Sequence, residues 1–402
     1  MPPPVAGRPA VVVLDGEQRS ALAVVRSLGR GGYPVHVGSS VRGALAAGSR
    51  FCTSEVLLPD PGRESSAFVA AVARLVKERQ ARVVLPVTDT SILAVLEHRG
   101  LFAGARVPMA DLERFLLASD KEATLQIAAR LGIAVPPQWM LGEPGCPVPD
   151  IPHEQFPVVL KPSRSVAIEG GRRIKQGVSY AASPGDLASQ LDRLSAAAFP
   201  LLVQARIVGP GIGIFLLRWE GTVRAVFAHR RIREFPPSGG VSVLATSIEA
   251  PESLVRKAEA LLAALEWSGV AMVEFKQEAR TGRHYLMEVN PRFWGSLQLA
   301  IDAGVDFPRY LVQLALGEPI VPVTQWQVGV TSRWGWGEID HLLARLRHSR
   351  RAQLPPEAPG ILRVILEAVP VWRPRQRGSV FRLTDPKPFL RETVAWFKAL
   401  RE

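Results

Sequence analysis

The chain has 402 residues, 47% apolar and 21% charged, with a formal net charge of +12. Those proportions belong to a globular chain with enough length for two or three cores, and they exclude a disordered one. The two cysteines, Cys52 and Cys146, are far apart and carry no metal-ligand spacing, which argues against zinc or thiol chemistry and for a reducing cytoplasm. The excess of arginine is spread along the chain and accompanies no recognition motif, so nucleic acid is not an expected partner.

The opening MPPPVAGRPAVVVLDGE lacks the charged start and long apolar stretch of a signal peptide, and no apolar run reaches membrane-spanning length, so stable membrane insertion is not expected. Residues 10–14 read as a first buried strand, Ala21–Leu28 as a helix stopped at Gly29, and Val35–Val37 as a second strand. This βαβ unit predicts a parallel sheet. The run Gly29-Arg30-Gly31-Gly32 follows the helix and therefore reads as its cap and turn; a dinucleotide fingerprint needs its glycines before the helix. A helix over Ser66–Glu78 precedes the strand Arg82–Val87, the turn Thr88-Asp89-Thr90 and a helix over Ser91–His98. Ligands in open α/β sheets sit beyond the carboxyl ends of strands, which puts Thr88 and Asp89 near substrate; capping of the helix by Thr88 or Thr90 is the simpler alternative.

Ser119-Asp120-Lys121 opens a helix whose apolar face, Leu125, Ala128, Ala129 and Leu131, ends at Gly132. A proline-rich crossing over 134–154 leads to the strand Phe156–Leu160, which ends in Lys161-Pro162. In the following SRSVAIEGGRRIKQGVSY, the cations Arg164, Arg172, Arg173 and Lys175 flank Gly170-Gly171, as in a mobile basic lid or a solvated charged hairpin. Leu201–Ile207 is the next strand. Val223–Ala228 then runs into His229–Arg233 and a glycine-rich loop, Pro236–Gly240. Strand alternation separates Arg231 and Arg233 from Arg230, so one set faces a cleft where arginines suit a carboxylate or a transferring phosphoryl group. His229 reads as structural in preference to a general base. An amphipathic helix over 252–267 leads into the most informative stretch, 270–298.

There, Val270–Lys276 and His284–Asn290 flank Thr281-Gly282 as a hairpin. Alternation puts Glu288 and Asn290 on one face, and a hairpin centred near Thr281 sets Glu274 opposite Glu288. Facing carboxylates repel unless something neutralises them, and a hard divalent cation takes carboxylates, an amide oxygen and substrate phosphates. Arg292, after Pro291, places a cation beside that centre. Solvated acids on the outer face of an ordinary hairpin are the alternative.

The string Leu286-Met287-Glu288-Val289-Asn290-Pro291-Arg292, with Glu274 fourteen residues upstream, resembles the metal-binding hairpin of ATP-grasp enzymes. These are carboxylate–amine or carboxylate–thiol ligases that pass through an acyl phosphate, and the resemblance spans roughly residues 10–320. It implies an α/β chain: a Rossmann-like pre-ATP-grasp domain (1–115), a two-lobed α+β ATP-grasp fold (116–205 with the lid, 206–324 with the metal hairpin), and a C-terminal appendage (325–402). It further implies that Lys121 and Lys161 contact ATP phosphates and that the strand containing Gln204, Ala205 and Ile207 holds adenine through backbone groups, although relatives often carry Glu at the place of Ala205. By the same resemblance Glu274, Glu288 and Asn290 hold Mg²⁺, with Mn²⁺ a substitute, and Arg292, Arg230 and Arg231 stabilise charge in the reaction. The segment after Lys161-Pro162 is longer and more basic than the compact flap of many relatives, which leaves its phosphate contacts open. The implied function is ATP-dependent joining of a small-molecule carboxylate to an amine; a phosphotransferase or a non-catalytic nucleotide-binding protein is the alternative. The tryptophan-rich tail reads as a packing or dimerisation appendage or a cap on the acceptor site, surface association with a membrane being a further reading. A homodimer is the default assembly.

Overall fold

The structure is a computed structural model that describes residues 7–102, 104–346, 360–368 and 375–400. The N-terminal region alternates strands and helices: β1 (Val11–Val13), α1 (Arg19–Arg30), β2 (Val35–Ser39), β3 (Ser54–Leu57), α2 (Ser65–Glu78), β4 (Val83–Leu85) and α3 (Asp89–Glu97). The strands form a parallel sheet of order β3-β2-β1-β4. Its central strand is wholly buried, as an apolar run covered on both faces must be. The helix expected to stop at Gly29 continues to Arg30 and is capped by Gly31. Gly29 answers to a different constraint: a Cβ there would lie 2.5 Å from Cβ of Phe51, so the residue lets that segment pack directly on the helix.

Next come α4 (Leu112–Ser119), α5 (Lys121–Arg130), β5 (Gln138–Leu141), β6 (Val158–Pro162), the pair β7 (Val166–Glu169) and β8 (Arg172–Lys175), then β9 (Ser179–Ala181), α6 (Pro184–Leu191) and β10 (Leu201–Ala205). These build an antiparallel sheet of order β5-β10-β6-β9, with β7 and β8 as a separate hairpin. One face of that sheet packs on its own small core of Leu141, Val158, Leu160, Leu201 and Val203. Lys161 and Gln204 therefore project from the other face, by the period-2 rule. Two strands that the sequence did not signal, β3 and β5 (the latter inside the proline-rich crossing), are short and partly exposed, too weakly patterned to announce themselves.

The third region holds β11 (Gly211–Trp219), β12 (Thr222–Phe235), β13 (Val241–Ser247), α7 (Glu252–Ala264), β14 (Gly269–Gln277), β15 (His284–Asn290), α8 (Leu297–Asp302) and α9 (Phe307–Ala315). The chain ends with β16 (Thr331–Arg333), α10 (Gly335–Leu346), α11 (Ile361–Ala368), β17 (Gln376–Gly378) and α12 (Lys387–Ala399). The sequence of the tail also reads as a proline-rich break at 355–359, which lies outside the described residues. A seven-stranded sheet, β15-β14-β11-β12-β13-β16-β17, joins these two stretches. Alternate residues of its long strands enter different cores. Ile212, Ile214, Val273 and Phe275 pack with α7 on one face, and Phe215, Leu217, Phe227 and Met272 pack with α1, α8 and α9 on the other.

The tail is thus part of the folded body: β16 and β17 extend the large sheet. Arg26 of α1 is fully buried and donates to Asp385 Oδ2 (2.8 Å) and to the carbonyls of Ser379 and Val380 (3.1 and 2.8 Å). Trp336 stacks on Trp396 at 4.2 Å, joining α10 to α12. No helix among the described residues is long and apolar enough to cross a membrane.

Candidate active site

The smaller sheet and the antiparallel β11–β15 part of the large sheet face each other across a cleft, and most of the charged residues singled out by sequence converge there from both sides. On the large sheet, Glu274 pairs directly with Glu288 in the β14–β15 ladder. The pairing depends on a bulge: Phe275 pairs with Leu286, so Met287 is an extra residue on β15. Without it the register would put Glu274 opposite Met287. Bulges at such places re-aim a side chain, and this one turns both carboxylates to the same face.

Two such charges about 5 Å apart repel by roughly 3 kcal/mol at an effective dielectric near 20. Cations offset this. Arg231 grips Glu274 with two hydrogen bonds, Nη1 to Oε1 at 2.7 Å and Nη2 to Oε2 at 2.6 Å. It also bonds Glu234 at 3.2 Å. Burial raises the pKa of Glu274 despite Arg231, and Glu288 and Glu234 push it the same way. Burial acts in the same direction on Glu288, but Lys121, a hydrogen bond from Asn290, Lys161 and Arg231 together hold that carboxyl below its usual range. The Asn290 amide donates to Glu288 at 2.8 Å, while its oxygen accepts from Arg292 at 3.2 Å. Arg292 also bonds Asp89 at 2.9 Å, which brings the N-terminal sheet into the site.

Asp89 is delivered by a residue whose role the sequence did not disclose. Asp15, at the carboxyl end of β1 with φ of 58°, accepts from the backbone N–H groups of Val87 and Thr88 at 2.9 Å and from the Ser91 hydroxyl at 2.5 Å. This pins the loop after β4 so that Asp89 meets Arg292. Thr88 caps α3 by accepting from Ser91 N–H, as the simpler sequence reading had it.

From the smaller sheet, Lys161 donates to the buried Gln204 side chain at 2.8 Å. Lys121 is 7% exposed and donates to Ser165 at 3.1 Å. Its helix is capped by Asp120, which also accepts from Ser163 at 2.7 Å, so the start of α5 is tied to the end of β6. Burial lowers the pKa of Lys161 to about 8, opposed by Glu288 and Glu274 and assisted by Lys276 and Lys121. Lys276, absent from the sequence-based set, therefore belongs to the same electrostatic cluster; it was hidden because a lysine near a hairpin turn ordinarily signals only solvent. The lowered pKa has a testable consequence. Without ligand, Lys161 loses its charge as pH rises through about 8; a bound polyanion restores that charge and draws in a proton. Calorimetry of nucleotide binding near pH 8.5 in buffers of different ionisation enthalpy is expected to show net uptake approaching about one proton, lost in Lys161→Met.

The strand expected to hold adenine lies beside a cavity of about 530 Å³ lined by Pro137, Phe156, Ala205, Ile207 and Tyr285. The Gln204 side chain does more than the sequence implied, since it anchors Lys161. The Ala205 N–H is already bonded to the Pro137 carbonyl at 2.8 Å, so any backbone recognition at that residue falls to its carbonyl. One expectation needs correction. Arg230 shares the face of Ile212 and Phe275, opposite Glu274, and is exposed, because each step along β12 reverses the side chain. Arg173 lines a cavity of about 600 Å³ with Asp89, Ser163 and Ser165, but its own donors are engaged by the protein. It donates to Ser65 at 2.6 Å and pairs with Glu97, while its backbone N–H bonds the Gly62 carbonyl, latching the β7–β8 hairpin to α2 and α3. Arg173→Ala is expected to raise amide exchange across 166–175 by about tenfold while the global melting temperature moves little; unchanged exchange would rule out the latch. His229 is fully buried, edge-on to Phe215 at 4.7 Å, and burial drives its pKa well down, so it is a neutral core residue.

The same arrangement of lobes occurs in solved structures. The chain superposes on N5-carboxyaminoimidazole synthetase from Staphylococcus aureus complexed with ADP with a TM-score of 0.61 at 12% identity, covering 85% of this chain and 86% of that one. With L-amino acid ligase from Bacillus licheniformis the TM-score is 0.60 at 16% identity, with 79% and 76% covered. This is an ATP-grasp fold. A biotin carboxylase from Campylobacter jejuni shares it, with a TM-score of 0.59 at 16% identity and coverage of 81% and 74%. Residues 198–336, which hold the whole carboxylate hairpin, match the family described as ATP-grasp in the biosynthetic pathway with Ter operon. A search of curated proteins finds no match. ATP-grasp enzymes use ATP and Mg²⁺, and the donor set here suits both. Among the described residues no three of His, Cys, Asp and Glu cluster as a self-sufficient cage. Two carboxylates and one amide oxygen beside the buried Lys121 and the half-buried Lys161 instead suit a cation whose remaining ligands are phosphates and water.

Proposed function

We propose that this ATP-grasp protein joins a carboxylate to an amine, with ATP as the activating substrate. The observation that carries the reading is the convergence of the Glu274–Glu288 pair, Asn290 and Arg292 with Lys121 and Lys161 across one cleft. The two lysines bind and orient the phosphates, Gln204 fixing the direction of Lys161. Glu274, Glu288 and Asn290 hold Mg²⁺ or Mn²⁺, which supplies charge neutralisation at the phosphates. Asp89 holds the Arg292 guanidinium beside Asn290, so a donor is set before the substrate arrives and need not be reorganised during reaction. Arg231 favours the ionised form of Glu274 against the effect of burial. Arg230, on the far face, takes no part.

A substrate carboxylate oxygen attacks the γ-phosphorus as the bond to the β-phosphate oxygen breaks, giving an acyl phosphate and ADP. The amine then attacks the acyl carbon, phosphate leaves, and the amine proton passes to solvent. The domain boundaries near 115, 205 and 324 follow from the same reading. The amide-forming step draws support from the likeness to an L-amino acid ligase, although that likeness is one of fold. Phosphate release from MgATP, screened over pooled carboxylic acids with and without amines, is the test. Release that requires both partners is the expected result. Release with acid alone points to a phosphotransferase, and ATP binding without release under any pairing points to a nucleotide-binding protein.

A further inference from the structure

Arg19 is an arginine in a place that disfavours it. It opens α1, where the unpaired N–H groups of the helix already present positive charge. It is partly buried, and burial lowers its pKa to about 10, opposed by Glu392. Among the described residues no carboxylate lies within ion-pair distance of it. Its guanidinium lies 3.8 Å above the Trp334 ring, and its side-chain hydrogen bond among the described residues is a long one, 3.5 Å, to the Ser242 carbonyl. A cation stacked on an indole is oriented without its N–H donors being used.

What surrounds Arg19 places it at the reaction end of the cleft. A Cβ on Gly295 would lie 3.2 Å from its Nη2, so the bare glycine just beyond Arg292 leaves room for the guanidinium. Ser242 pairs with Glu234, the second partner of Arg231. Trp334 is held from behind by its indole N–H to Glu392 Oε1 at 2.8 Å and by its backbone N–H to the Val243 carbonyl at 2.8 Å. The floor under Arg19 therefore comes from the C-terminal segment, and the cation from α1 of the N-terminal region. Arg292 differs in this respect, since Asp89 already occupies it.

We propose that Arg19, stacked on Trp334, anchors a second oxyanion, a carboxylate or phosphate remote from the reacting carboxylate, so that the acid substrate is a small dianion. This rests on the ligase reading for the identity of the reacting end. It makes the C-terminal segment part of the substrate pocket through Trp334.

The test is equilibrium binding to the full chain saturated with ADP and Mg²⁺. The probes are succinate, glutarate and adipate, then 3-phosphonopropionate, with butyrate as the singly charged control. At least one dianion is expected to bind about 10- to 100-fold more tightly than butyrate, the scale of a charge-assisted bond made in a partly dry site. The diacid and phosphonate arms separate the two sources of charge. Arg19→Met is expected to erase the preference. Arg19→Lys, which keeps the charge but not the planar fork, retains part of it, and ADP binding serves as the folding control for both variants. Equal binding of all probes, no dianion binding by protein that holds ADP, or a preference that survives Arg19→Met overturns the proposal. Amine-dependent phosphate release with an acid KM unchanged in Arg19→Met removes the anchor and leaves the ligase. Arg19-dependent dianion binding without amine-dependent release does the reverse.

Discussion

In Glu288→Gln, ATP turnover is expected to fall by about 10³-fold or more, with a much smaller effect on folding. The amide keeps the size of the side chain and can still accept from Asn290, whose bond to Glu288 is 2.8 Å. What disappears is the charge. Two effects on stability then oppose each other, since repulsion with Glu274 is relieved while the attraction of Lys121 and Lys161 for this carboxylate is lost. Lys161, already lowered to about 8 by burial, is expected to lose its proton at still lower pH. Steady-state phosphate release and a Mg²⁺ titration of the same variant check both statements. Turnover within about tenfold of the parent, at saturating Mg²⁺, would sink the assignment of Glu288 to the metal.

The largest loss of stability is expected at a place far from the cleft. Asp385→Ala should cost about 3–5 kcal/mol, because it strands a buried guanidinium. Arg26 and Asp385 are 0% and 1% exposed, and Asp385 also accepts from the Ser49 hydroxyl at 2.7 Å and the Arg50 N–H at 2.9 Å. Burial already lowers the pKa of Arg26, and the Asp385 bond and charge are what oppose it. Denaturant unfolding of the single variants and of Arg26→Met/Asp385→Leu separates the pair from its parts. The double variant should recover much of the loss, since removing both charges also removes the cost of burying either. A loss in Asp385→Ala below about 1 kcal/mol would mean that water reaches Arg26 when its partner is gone.

Short-range patterns carried far in this chain. The period of the apolar residues gave the parallel N-terminal sheet, and capping signals gave α3 and α5, the structure choosing Thr88 over Thr90 and Asp120 over Ser119 as the caps. Both are local effects, decided within a few residues. The carboxylate hairpin was legible for the same reason, yet partly by good fortune. A simple hairpin centred at Thr281 pairs Glu274 with Glu288, whereas the real ladder reaches that pairing through the bulge at Met287. Strands β3 and β5 escaped because edge strands with half-exposed side chains show little apolar periodicity.

The sequence by itself therefore determined the fold class, the chemistry-bearing residue types and the face of the hairpin they occupy, because alternation along a strand is a property of the backbone. Only the tertiary structure decided which partner each charge has. Strand alternation could divide the arginines of β12 into two sets but could not say which set faces the carboxylates; packing of Phe215, Phe227 and Met272 against α8 and α9 settles that for Arg231 and against Arg230. Arg173 read as one of several cations of a basic lid or a solvated hairpin and is a latch, since Ser65 and Glu97, far away in sequence, come to it in space. Arg19 and Trp334 are 315 positions apart in the sequence and meet with 3.8 Å between guanidinium and ring. Electrostatic and stacking energies depend on distance through space, and no local pattern in a chain encodes that distance.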